Sequence, residues 1–172
     1  VVWSGGQMHI PYFDGDGVIQ TGKYRKPGEK IHAISGSRGT YNFFYGEHLD
    51  VDHSKTVVIC EGEPDVWSGT CAAREDYVFL GLPTGAGYSE KLASRLAGRT
   101  VLLALDADPA GREALGRWMA GLAGIARSTS MVLLPDGKDL SDMLDIPAAL
   151  RHPVSQVIDL NAIVEVGGIY RQ

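Results

Sequence analysis

The sequence predicts a mixed α/β chain, in which a mostly parallel sheet flanked by helices follows a small, basic, β-rich subdomain. Three observations predict this. From Lys55 onward, short apolar β-branched runs alternate with helical segments, the pattern of a sheet covered on both faces. Before Lys55, strand-like runs surround strong turn signals. The composition, 44% hydrophobic and 22% charged over 172 residues, suits one compact domain with a small subdomain attached.

The elements follow in order. In residues 1–54, MHIPYFD and GVIQTGKYRK flank Asp14-Gly15-Asp16-Gly17, which predicts a hairpin. Pro27-Gly28 ends the second strand with a turn, and residues 48–54 are a polar connection. Residues 55–150 form the larger domain. TVVIC reads as a buried strand and EPDVWSGTCAARE as a helix. YVFLGL (strand), SEKLASRLAG (helix), TVLLALD (strand), PAGREALGRWMAGLAGIA (helix) and STSMVLLP (strand) come next. LSDMLDIPAAL is a helix that Pro147 is expected to break. Residues 151–172 form a tail or linker.

Several classes are set aside. No apolar run approaches the roughly 20 residues that cross a bilayer, so no membrane partner is expected. The opening VVWSGGQMHIPYF lacks a basic start and an apolar core, so no secretory signal is expected. A start on Val1 rather than Met fits a piece of a longer protein. Cys60 and Cys71 form no C-x-x-C pair and have no histidine at zinc-ligand spacing. They fit a reducing cytoplasm, with Cys60 a small buried hydrophobe. The net charge of −5 argues against a polyanion partner, but its distribution does not. Lys23, Arg25, Lys26, Lys30 and Arg38 face the single acid Glu29 in one stretch, and acids gather later in the chain.

Those acids carry the chemistry. In open α/β sheets functional residues collect at the carboxyl ends of strands. Glu61 follows VVIC, Asp106 and Asp108 follow TVLLAL, and Asp136 and Asp139 follow MVLLP. Two carboxylates held together repel unless a cation neutralises them, and Mg²⁺ suits oxygen ligands. Asp139 could complete the cluster. Each acid also has a plain alternative. Asp108 before Pro109 suits a helix N-cap, Asp139 could cap the next helix, Asp136-Gly137 suits a turn, and Glu61-Gly62 a loop. Asp106 has no capping task.

The order E-G-E-P-D, L-D-A-D-P-A-G and G-K-D-L-S-D after three strands resembles the Toprim domain of primases, topoisomerases, some nucleases and RecR proteins. The resemblance spans about residues 55–145 and implies a Rossmann-like parallel sheet. It implies that Glu61 is the acid–base residue or an outer metal contact, that Asp106 and Asp108 bind Mg²⁺ or Mn²⁺, and that Asp139 is the outer acid of the cluster. The segment GVIQTGKYRKPGEKIH, followed by YNFFYGEHL, looks like the basic subdomain that precedes Toprim in phage-type and bacterial-type primases. That likeness implies that Lys23, Arg25 and Lys30 contact nucleotide or template, with Lys138 doing the same beside Asp139. It implies RNA-primer synthesis, with single-stranded DNA and ribonucleoside triphosphates as partners. It also admits a replicative helicase, in cis or in trans.

Other motifs carry less. GLPTGAGYSEK lacks the G-K-[ST] of a P-loop and reads as a glycine turn. Gly85 and Gly87 are kept as nucleotide-site candidates because the related loop lies beside the site in primases. Trp67 and Trp118 read as helix core. Packing is favoured over base stacking for Tyr24, Tyr41, Phe43 and Phe44. A nuclease using the same acids, or a non-catalytic binding module, stays open at this point.

Overall fold

The computed structural model describes residues 1–34 and 43–155. Arg38, Tyr41 and the tail beyond residue 155 lie outside the described residues. The strands are β1 (Val2–Ser4), β2 (Gln7–Phe13), β3 (Ile19–Arg25), β4 (His32–Ala33), β5 (Thr56–Cys60), β6 (Tyr77–Gly81), β7 (Pro83–Ala86), β8 (Thr100–Ala104) and β9 (Ser128–Met131). The helices are α1 (Glu63–Ala73), α2 (Glu90–Ser94), α3 (Pro109–Leu122) and α4 (Ile146–Leu150), with short 3₁₀ turns at Glu47–Leu49 and Leu140–Asp142.

The front subdomain is an antiparallel sheet in the order β1-β2-β3-β4. The expected hairpin is β2–β3, closed by Gly17 N–H donating to the Asp14 carbonyl at 3.0 Å. Strand β1 is additional to the elements the sequence predicts. Gly5 and Gly6, both at positive φ, join β1 to β2 in a two-residue hairpin, a turn that favours glycine because both central residues need that conformation. At Pro27-Gly28 the Glu29 N–H donates to the Lys26 carbonyl at 3.0 Å, with Gly28 at φ 79°.

The larger domain is an all-parallel sheet in the order β6-β5-β8-β9. Strands β5, β6 and β8 are nearly continuous apolar runs because both faces are covered, whereas the edge strand β9, Ser-Thr-Ser-Met, is polar until Met131. Val57, Ile59, Leu80 and Leu103 pack with Leu92 of α2 and Trp118 of α3 on one face. Val58, Phe79 and Leu102 pack with Val66 of α1 and Leu150 of α4 on the other. The outer edges are capped by single residues. Tyr45 exchanges two backbone hydrogen bonds with Gly81 of β6, and Val154 does so with Met131 of β9, which blunts edges that would otherwise pair with another chain.

The segment LSDMLDIPAAL is interrupted ahead of Pro147, as expected, into the 3₁₀ turn at Leu140–Asp142 and α4 from Ile146. Pro147 lies in the first turn of α4, where its missing N–H costs nothing, and Asp145 caps that turn by accepting from Ala148 N–H at 2.9 Å. One local expectation is corrected. The glycine turn at residues 83–86 is instead the short strand β7, with Gly85 at φ 62°. No helix among the described residues is long and apolar enough to cross a membrane.

Candidate active site

Strand order creates the site. The chain moves from β5 to β6 on one side, then returns to place β8 on the other side of β5. The crevice beyond the carboxyl ends of β5 and β8 is therefore a topological switch point, where such sheets bind ligands. Cys60 pairs with Ala104 in register, so Glu61 and Asp106 leave neighbouring strands close to the same level.

Both carboxylates have a buried oxygen, Glu61 Oε2 and Asp106 Oδ1, without a hydrogen-bond partner among the described residues. A buried acceptor left unpaired is costly, and here the cost shows in acidity. Burial, then the charges of Glu61, Asp65, Asp139 and Asp108, push the Asp106 carboxyl up to about 7. Burial, then Asp108 and Asp65, raise Glu61, partly offset by hydrogen bonding from the Asp106 backbone. The acids after three strands thus share one electrostatic field. They do not form a closed cage. Among the described residues no three acids, histidines or cysteines stand together as a ready set of metal ligands. Two acids with unpaired oxygens still fit a hard divalent cation, since Mg²⁺ commonly takes one or two carboxylates and completes its shell with water and phosphate.

Asp108 and Asp139 also do the capping work that their places in the sequence allow. Asp108 accepts from Gly111 N–H at 2.7 Å and starts α3. Asp139 accepts from Asp142 N–H at 2.9 Å and Ser141 Oγ at 2.8 Å. Each uses Oδ1, so a cap leaves the other oxygen available. The β8 and β9 loops are tied together, with Ala107 N–H donating to the Lys138 carbonyl at 2.8 Å and Gly137 N–H to the Ala107 carbonyl at 2.9 Å. Lys138 itself is exposed and pairs with Asp142 at 3.4 Å. A Cβ on Gly85 would lie 3.7 Å from Glu61 Oε1, so that backbone passes over the carboxylate. Gly87 lies beside Thr84 and is exposed.

Sequence reasoning gives Asp65 no role. Its carboxylate accepts from Gly62 N–H at 3.1 Å and Ser141 N–H at 2.9 Å, joining the loop of Glu61 to the loop of Asp139. Burial, then Asp139 and Asp142, raise it to about 6 against those hydrogen bonds. The available signal is an acid at the third position of α1, able to reach back to the N-cap.

The basic candidates divide. Thr21, Lys23 and Arg25 share one face of β3, opposite Ile10 and Tyr12 of β2, and that face turns inward. Lys23 is mostly buried and pairs with Glu63 at 2.7 Å, while Tyr12 donates to the same Glu63 oxygen at 2.5 Å. Burial and then the Glu63 charge push the Tyr12 hydroxyl far up. The pair joins β3 to α1. Arg25 and Lys30 are exposed. Glu63→Gln is expected to cost about 2–4 kcal/mol in urea denaturation, because a buried ammonium loses its counter-charge. Lys23→Met combined with Glu63→Gln should recover most of that loss, and additive losses would show that the pair does not act as a unit.

A Toprim-like family model matches residues 58–144. Among solved structures, the chain resembles primase domains from a bacteriophage T7 complex containing lagging-strand DNA polymerase, an RNA/DNA hybrid and dTTP. Identity there is 21%, with 87% of this chain and 79% of that chain covered and a TM-score of 0.70. The primase fragment of the T7 primase-helicase shows 25% identity, coverage of 79% and 56%, and a TM-score of 0.65. The zinc-binding and RNA polymerase domains of Aquifex aeolicus primase show 20% identity, coverage of 80% and 36%, and a TM-score of 0.65. The chain thus spans about half or less of the last two. No curated protein matches it.

Proposed function

This chain belongs to the Toprim-like family, and we propose that within it the chain is a primase catalytic core that makes short RNA primers on single-stranded DNA. One observation carries the reading: Glu61 and Asp106 leave adjacent parallel strands, each with a buried, unpartnered carboxylate oxygen. The basic sheet docked on the same domain favours polymerisation, because it offers cations to a triphosphate and a template that the acidic centre alone would repel.

In this reading a 3′-hydroxyl attacks the α-phosphate of a ribonucleoside triphosphate. One oxygen–phosphorus bond forms, the bond to the β-phosphate breaks, and pyrophosphate leaves. Glu61 Oε2 accepts the hydroxyl proton, a role favoured by burial and the Asp108 charge, which raise the basicity of its carboxylate. Asp106 and Asp108 hold Mg²⁺ or Mn²⁺, with Asp139 as outer acid. A divalent ion held there supplies charge stabilisation at the reacting phosphate. Asp65 keeps the loops of Glu61 and Asp139 in register. Arg25 and Lys30 contact phosphates, Lys138 adds positive charge beside Asp139, and Gly85 and Gly87 let the β7 loop approach the nucleotide. A replicative helicase, in cis or in trans, is the partner such a core would serve, in a cytoplasmic setting.

Incubation with single-stranded DNA, Mn²⁺ and labelled ribonucleoside triphosphates tests the reading. Short labelled products are expected. Shortened DNA without them would make the chain a nuclease, and neither change would make it a non-catalytic module.

A further inference from the structure

We propose that a hollow between the front sheet and α1 binds one nucleobase of a single-stranded nucleic acid, stacked on Trp3 and Trp67, with Arg25 and Lys26 on the neighbouring phosphates. The inference rests on the primase reading and adds a base-binding position outside the carboxylate site.

The hollow is lined chiefly by Trp3, Met8, Arg25, Lys26, Pro27 and Trp67 and has a volume of about 310 Å³. That lies at the lower end of the roughly 300–1,000 Å³ of small-ligand sites. Trp67 reads as core in the sequence, but unlike Trp118, which is fully buried, it lies at this opening. Its indole is fixed. Nε1 donates to the Tyr45 hydroxyl at 2.8 Å, and the Tyr45 ring meets it edge-on at 6.4 Å. Trp3, on the first hairpin, is 64% exposed. A large aromatic left in water beside a second one marks a contact surface.

The charges identify the occupant. The chain carries a net −5, yet the lining holds two cations and no carboxylate. Among the described residues, neither Arg25 nor Lys26 has an ion-pair partner, and Arg25 uses only Nε, donating to the Glu29 carbonyl at 3.1 Å. An apolar peptide would leave two cations unmatched. A free phosphate would leave two indoles unused. A nucleotide unit satisfies both, its base on the indole faces and its phosphates on the cations. Position agrees as well. Trp67 lies one turn beyond Glu63 on α1, and Arg25 lies two residues beyond Lys23 on the same face of β3. The hollow therefore lies beside the junction that the Lys23–Glu63 pair closes.

The test compares the affinity of the chain for a fluorescein-labelled oligothymidylate with that for an abasic oligomer of equal length and charge. Stacking on tryptophan predicts roughly 5- to 100-fold weaker binding of the abasic oligomer. Trp3→Ala, at an exposed position, should bring the two affinities together, whereas Arg25→Met with Lys26→Met should weaken both and flatten the salt dependence. Equal affinity of the two oligomers for the wild type, or a difference that survives Trp3→Ala and Trp67→Leu together, overturns the inference. If primers are still made in that case, the primase reading stands alone. Absence of binding to either oligomer overturns both. A second copy of the chain as occupant would appear as a Trp3-dependent rise in sedimenting mass with oligonucleotide affinity unmoved, which also overturns it.

Discussion

Asp106→Asn is expected to abolish primer synthesis while making the metal-free protein more stable at neutral pH. The two effects have one origin. In the folded chain Asp106 holds its proton up to about pH 7, whereas in the unfolded chain it ionises near 3.9. Between those values the folded state binds the extra proton, so stability is full below about pH 4 and falls as pH rises to about 7. The group is only half-buried, so screening by solvent leaves an effect of roughly 1–2 kcal/mol rather than the full value of the shift. Asparagine keeps the shape without the charge, and the variant should gain about that amount at pH 8 and nothing near pH 4. Urea denaturation in a chelator at both pH values measures this. Added Mn²⁺ should then stabilise the wild type at pH 8 and leave the variant unmoved, as ligand binding to the native state requires. Primer synthesis should fall at least about 100-fold, the order of loss when one charge-stabilising group leaves a site. A variant no more stable than wild type at pH 8, or stabilised equally by Mn²⁺, would remove Asp106 from the metal site.

The same residues show what a sequence discloses. The parallel sheet is legible because TVVIC, YVFLG and TVLLA are continuous apolar runs, which only a strand covered on both faces tolerates. The acids at their ends are legible because Asp106 has no local task. That β5 and β8 are neighbours is not legible. Strand order depends on which side each crossover takes, and no residue within a strand encodes it. The pairing of Lys23 with Glu63 is hidden for a related reason, since the partners lie on β3 and α1 and meet only when the two sheets dock. Half of the signal is local, because alternation places Lys23 on the same face as Thr21 and opposite Ile10, where a charge needs a partner. Trp67 fails on periodicity. A tryptophan in an apolar helix reads as core, and its place at an opening follows from a hollow built largely by the distant front sheet. Gly5-Gly6, by contrast, is a local turn signal that the hairpin prediction for residues 8–26 does not use.

Gly111→Ala sets helix propensity directly against the geometry of the site. In an open helix this substitution stabilises by up to about 1 kcal/mol. At Gly116 of the same helix an added methyl group would meet nothing within 4 Å, and Gly116→Ala should show that gain. At Gly111 a Cβ would overlap the Asp106 carbonyl oxygen, with the Asp106 carbonyl carbon at 2.9 Å and its nitrogen at 3.2 Å. These are backbone atoms at the end of a buried strand, so no side-chain rotation relieves the clash. Either α3 recedes, stretching the Asp108 cap on Gly111 N–H, or Asp106 moves off its strand line. Overpacking costs about 1–3 kcal/mol and a lost cap about 1 kcal/mol, so Gly111→Ala should destabilise by roughly 2–4 kcal/mol in urea. A displacement on the order of 1 Å in a reacting group can cost about 100-fold in rate, and primer synthesis should fall on that scale in conditions where the variant is folded. The close approach of α3 to Asp106 is thus what aims two carboxylates of the D-x-D segment, one by its backbone and one by its cap. Stabilisation of Gly111→Ala to the level of Gly116→Ala, with Mn²⁺ affinity intact, would show that the aim comes from elsewhere.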